Sequence, residues 1–193
     1  MVLKKRLHEM FTKIGNELLE KANLRRNTYF STIANPDFSC TLYFNSHNRT
    51  VYAIPKKMIS EYLYILPLLS KHGLGITKKN FIDYIKICIS HEVGHAMQDD
   101  LEQHAFVLNL LKSKEMLTSI QTIDSLQKLV THYKKMLVSI EENAWDQAWS
   151  LVKEEVNPVY FNLIKDDALS TYKERDYMEE DETFHYIYTT LLK

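Results

Sequence analysis

Apolar side chains recur at Leu3, Leu7, Met10, Phe11, Ile14, Leu18 and Leu19 with charged residues between them, and this spacing predicts an amphipathic helix over residues 3–22. From residue 28 to 54 the rhythm changes. TYFSTIA, CTLYF and TVYAI are short, β-branched and aromatic. They are separated by Asn35-Pro36-Asp37 and by Asn45-Ser46-His47-Asn48-Arg49. The pattern predicts a three-stranded antiparallel sheet whose last two strands form a hairpin, closed by Pro55. Helical spacing returns over 56–70, and His72-Gly73-Leu74-Gly75 is the clearest break in the chain. Thr77 is placed to cap a helix over 78–98. Residues 96–156 contain neither glycine nor proline. Two or three helices are expected there, with breaks near Ser113 and within 121–132, the last helix running over about 133–155. Asn157-Pro158 reads as an N-cap followed by proline at the first helical position, opening a helix to about 173. The acidic stretch Asp176–Glu182 reads as a solvated turn, and 183–192 as a final amphipathic helix.

Composition narrows the class. The chain has 193 residues, of which 45% are hydrophobic and 11% aromatic, with only four glycines and four prolines. That is enough for one well-buried core and favours long helices, so a single, mostly helical α+β domain is expected. The net charge is −1, divided unevenly: residues 1–100 carry 14 basic and 9 acidic side chains, residues 101–193 carry 10 and 16. Lys4, Lys5, Arg6, Arg25 and Arg26 read as solvated helix ends, and nucleic-acid binding is not expected. Two cysteines, Cys40 and Cys88, make no disulfide framework. Cys88 reads as a small core residue, with a thiol ligand as the other reading. The N-terminus lacks the apolar run and cleavage site of a signal peptide. Residues 58–69, the most apolar stretch, are interrupted by Glu61 and Pro67 and are too short to span a bilayer. A cytoplasmic protein without a membrane partner is expected.

The chemistry is concentrated in His91-Glu92-Val93-Gly94-His95. Four residues is little more than one helical turn, so His91 and His95 project from the same face and can reach one Zn²⁺. Glu92, one position along, can face a water at that metal. The apolar positions Phe81, Ile82, Ile85, Cys88 and Ile89 run into the two histidines, which therefore continue the inward face of the helix.

Two histidines hold zinc weakly, and a catalytic site needs a third protein ligand with one position left open. Ser139 to Trp149, SIEENAWDQAW, supplies the candidates. Glu141 lies on the helical face of Leu137, Ile140, Ala144, Trp145, Ala148 and Leu151, where an uncompensated carboxylate is costly. Ala144 and Ala148 beside it would allow another helix to approach closely. Glu142 lies nearer the polar side, with Ser139, Asn143 and Asp146, and is the alternative third ligand.

HExGH followed 46 residues later by Glu-x-x-Ala-Trp-x-x-Ala resembles the gluzincin class of zinc metallopeptidases. Within it, the chain is similar to the small intracellular ImmA/IrrE-type peptidases of phages and mobile elements, over about residues 28–152. The resemblance implies a zincin-like domain in which the small sheet packs against the HExxH helix and a ligand-bearing helix. Residues 157–193 would be a C-terminal helical extension. It also implies His91, His95 and Glu141 as metal ligands and Glu92 as catalytic base. Two features depart from the pattern. The residue after the alanine is usually small and polar, and here it is Trp145. Other gluzincins place an aspartate four residues after the ligand glutamate, which would select Glu142 with Asp146 behind a histidine.

The expected function is hydrolysis of a peptide bond in an intracellular protein or peptide substrate, extended along the edge of the sheet. A donor for the developing oxyanion is also required, and His104, His132, Tyr133, Tyr160 and His185 are the candidates. Two other readings remain. One is a catalytically silent zincin-fold regulator or phage structural protein that binds a protein partner. The other is a metal-free helical interaction protein with core histidines.

Overall fold

The computed structural model describes residues 2–33 and 41–191, with side chains from Lys5 onward. Ala34, the Asn35-Pro36-Asp37 turn and Cys40 lie outside the described residues. The chain is α+β and mostly helical, with one small sheet among the described residues. It divides into two compact units, Met1–Gln98 with Asn143–Lys165 and Asp99–Glu142 with Asp166–Lys193.

The first unit opens with helix α1 (Val2–Lys21), which buries Phe11, Ile14, Leu18 and Leu19 as the apolar spacing predicts. Gly15 is the contact point with the sheet, because a Cβ there would lie 2.3 Å from the ring of Phe30. Strands β1 (Tyr29–Thr32), β2 (Leu42–Asn45) and β3 (Thr50–Ala53) follow. β2 and β3 form the expected hairpin, pairing Leu42 with Ala53 and Asn45 with Thr50. Its turn ends on Arg49 in the left-handed region, φ 47°. The sheet is mixed, not wholly antiparallel. β1 runs parallel to β3, Tyr29 opposite Thr50 and Thr32 opposite Ala53, and the strand order is β1-β3-β2. Alternation along a strand marks its two faces but carries neither the order nor the direction of its neighbours. β3 is central, and Val51 and Ala53 are fully buried.

Helix α2 (Pro55–Lys71) starts with proline at its first position and buries Met58, Tyr62, Ile65 and Leu69 along one stripe. Gly73, φ 75°, ends it in the left-handed conformation that glycine adopts without strain. Helix α3 (Lys78–Ala96) is capped by the Thr77 hydroxyl, which accepts from the Asn80 amide at 3.0 Å. It packs against α1, β2 and β3. The last third of α6 (Ile123–Val152) and the first half of α7 (Pro158–Lys173) complete this unit. Asn157 caps α7 as its sequence predicts, accepting from the Val159 amide at 2.8 Å. Just past the end of α6, Glu155 pairs with both Lys21 and Lys86, tying this segment to α1 and α3.

The second unit contains α4 (Leu101–Leu111), α5 (Lys114–Thr118), the first two thirds of α6, the second half of α7, α8 (Tyr177–Glu180) and α9 (Glu182–Leu191). Its core is Leu111, Leu126, Leu129, Val130, Tyr177 and Phe184. A break falls at Ser113, which caps α5 through the Met116 amide. The long helix begins ten residues before the expected start at 133. Thr122 accepts from the Ser125 amide at 3.1 Å, and Leu126, Leu129 and Val130 supply the buried face of the early turns. The acidic stretch after 175 is not simply a solvated turn. Asp176 caps the short helix α8 and directs Tyr177 inward, where it is 3% exposed. Lys112 pairs with Asp181 and stands 5.0 Å from the Tyr133 ring centroid. Burial acts to lower the Lys112 pKa, but Asp181 and the Tyr133 hydroxyl outweigh it and leave it raised.

Candidate metal centre

Helix α3 brings the two histidines together as the four-residue spacing requires. Their ring centroids are 4.7 Å apart and the rings meet edge to face at 70°. Both are half-buried, while Val93 and Gly94 between them are buried. The face of His91 that is turned to α6 lies on Trp145, with ring centroids 4.2 Å apart and planes 21° from parallel.

Gly94 determines how near α6 can come. A Cβ at this position would lie 2.2 Å from the carbonyl oxygen of Ala144 and 3.0 Å from its carbonyl carbon. Ala144 and Ala148 are fully buried, so helix backbones meet where side chains are smallest. The alanines were legible in the sequence as a point of close approach. Gly94 was visible too, as a glycine inside a helix, where it is tolerated at a cost of about 1 kcal/mol relative to alanine.

One helical turn before Trp145 on the same unbroken helix stands Glu141. Nitrogen atoms of His91 and His95 and a carboxylate oxygen of Glu141 all lie within 4.8 Å of one another. Donors on a tetrahedral zinc, with bonds of about 2.0–2.2 Å, are separated by about 3.3 Å. Side-chain adjustment of about 1.5 Å at most brings this set into coordination range. Two imidazoles and a carboxylate are also the donor types that borderline zinc accepts. The residues fit the ion.

The other sequence candidates lie elsewhere. Glu92 is half-buried and outside the three-donor group, compatible with a base that does not ligate. Glu142 pairs with Lys173 at 2.7 Å and lines a cavity of about 800 Å³ in the second unit, where Lys134, Lys135 and Arg175 face Glu174 and Asp176. Asp146 is exposed and pairs with Lys165 at 2.8 Å. Among the oxyanion candidates, Tyr160 is fully buried and donates its hydroxyl to the Asn80 carbonyl at 3.0 Å. Tyr133 packs edge-on against Tyr177 and Phe184. His132 and His185 are exposed, and His104 lies 3.6 Å from Asp100. None of these histidines joins the donor group.

Cys88, one turn before His91, also stays outside that group. Burial pushes its thiol pKa far up, the hydrogen bond from Tyr84 opposes this, and Glu61 and Glu92 add to the rise. Tyr84, Tyr62 and Tyr160 are buried nearby, and burial is the largest cause raising each phenol above its ordinary value of 10.0. A raised phenol pKa adds stability that is fully present below pH 10 and lost as pH climbs towards the folded-state value. Alkaline titration is expected to ionise these tyrosines only as the helical circular dichroism collapses, well above pH 10. If all twelve tyrosines ionise together near pH 10 with the helices intact, these phenols are not buried as described.

No protein-family model matches the chain, and neither does any curated protein or solved structure.

Proposed function

We propose that this chain is a zinc-dependent metallopeptidase acting on a protein or peptide substrate, with His91, His95 and Glu141 as ligands and Glu92 as general base. The observation that carries the reading is the convergence of the two α3 histidines and Glu141 within 4.8 Å. Zinc in such a donor set supplies Lewis acidity, polarising a carbonyl and making a water acidic near neutral pH. Glu92, adjacent to one ligand and not itself in the group, accepts the proton from water and returns it to the leaving amine. Strand β2, paired on one side only among the described residues, offers its outer edge for an extended substrate to add as a strand.

Elemental analysis of the purified protein is expected to give about one equivalent of zinc. His91→Ala and Glu141→Gln should lose it, and Glu142→Gln should keep it. Glu92→Gln should retain the metal and lose roughly 100- to 10,000-fold in cleavage of a peptide library read by mass spectrometry. Metal kept by Glu141→Gln and lost by Glu142→Gln would reverse the third ligand. Parental rates in Glu92→Gln would sink the proposed chemistry. Zinc-loaded protein that cleaves nothing would favour the silent partner-binding zincin.

A further inference from the structure

We infer that Trp145 is a positioning residue for the metal centre: its indole fixes the plane of the His91 imidazole and hence the direction of the ligating lone pair. The inference rests on the metal reading above and goes beyond it, since that reading gives Trp145 no part.

An imidazole nitrogen holds its lone pair in the plane of the ring, so ligand geometry is ring orientation. His91 has one face against the Trp145 indole, centroids 4.2 Å apart and 21° from parallel. Contact at that distance leaves no room for the ring to turn about its Cβ–Cγ bond, because an edge would enter the indole. Its other neighbour, the His95 ring, meets it edge to face at 4.7 Å. The indole itself is 3% exposed. Phe161 backs it at 5.6 Å and 83°, and Trp149 in turn packs on Phe161 at 4.9 Å. The stack is therefore anchored in the core of the first unit. Many second-layer partners orient a ligating histidine by accepting a hydrogen bond. Here an aromatic face does it by contact, which a small polar residue could not do.

The test uses Trp149→Phe protein, which leaves Trp145 as the only tryptophan, since the chain has two. Zinc affinity is measured by competition with a chromophoric chelator in this protein and after adding Trp145→Phe or Trp145→Leu. The leucine variant is expected to bind zinc about 10- to 100-fold more weakly, and phenylalanine to restore most of the loss. Cobalt(II), which accepts excitation at short range, should quench the Trp145 emission and saturate at one equivalent. A folded leucine variant with parental zinc affinity would show that Trp145 only fills space. Should that variant fail to fold, unquenched Trp145 emission in cobalt-loaded Trp149→Phe protein would overturn the inference. A wild-type protein that binds no zinc would overturn the metal reading, and this inference with it.

Discussion

Gly94→Ala is expected to bind zinc more weakly while keeping its helices. The added Cβ would meet the Ala144 carbonyl oxygen at 2.2 Å, and the obstacle is backbone, which has no rotamer with which to yield. Relieving the overlap requires α3 and α6 to part by about 1 Å, at a cost of about 1–3 kcal/mol for overpacking. Better intrinsic helix propensity for alanine returns about 1 kcal/mol of this, so the fold should survive. The metal centre should weaken. The donors already need up to about 1.5 Å of side-chain adjustment to reach coordination range, and parting the helices adds about 1 Å to what Glu141 must span. Zinc affinity should fall by about 10- to 100-fold. Circular dichroism with competitive zinc titration checks both halves of the expectation. Parental affinity in Gly94→Ala would mean that the close approach at Ala144 does not set the ligand geometry.

Removing zinc should lower the melting midpoint strongly. A ligand bound only by the folded chain stabilises it by RT ln(1 + [L]/Kd), about 4 kcal/mol at a thousandfold excess over Kd. For a chain of this size each kcal/mol moves the midpoint by roughly 2–4 °C, so chelation should cost roughly 8–16 °C. The apo protein should still be folded at room temperature. Phe11, Leu19, Met58, Leu69, Ile85 and Phe161 are all essentially fully buried, and none of them depends on the ion. Thermal melts with and without a chelator, on protein assayed for metal before and after, make the comparison. An unchanged midpoint in protein that demonstrably lost its zinc would show that the ion does not join α3 to α6.

Helices were legible wherever an apolar stripe coincided with a cap. Thr77 and Asn157 announce α3 and α7, and both side chains make the cap hydrogen bonds their positions imply. The start of α6 was harder to read. Gln121-Thr122-Ile123-Asp124 is polar and resembles a linker, yet Thr122 caps a helix whose early turns bury Leu126, Leu129 and Val130. The antiparallel pairing of β2 with β3 was legible from the hairpin, but the direction of β1 was not, because a four-residue strand shows its faces and says nothing about which edge it will join. For the donor set, spacing alone places His91 beside His95, since one helix carries both. Glu141 against Glu142 could not be decided from spacing, as adjacent helical residues differ by only about 100°. The structure places the two carboxylates differently, Glu141 with the histidines and Glu142 with Lys173.

Neither compact unit is a continuous stretch of chain, and this has a consequence for synthesis. The first unit needs Asn143–Lys165 as well as the residues up to Gln98. Sixty-nine residues separate Ala96, the end of α3, from Lys165. At ~5–20 residues per second, roughly 3–14 s pass between their additions on the ribosome. For the first part of that interval, roughly 2–9 s, the histidine helix exists without Glu141, and Ala144 and Trp145 follow within the next helical turn. On the metal reading proposed above, the nascent chain would until then present only the histidine pair, which holds a metal ion weakly. Tight capture would wait for α6, whose last turns also complete the first unit, and metal loading would be coupled to completion of the fold.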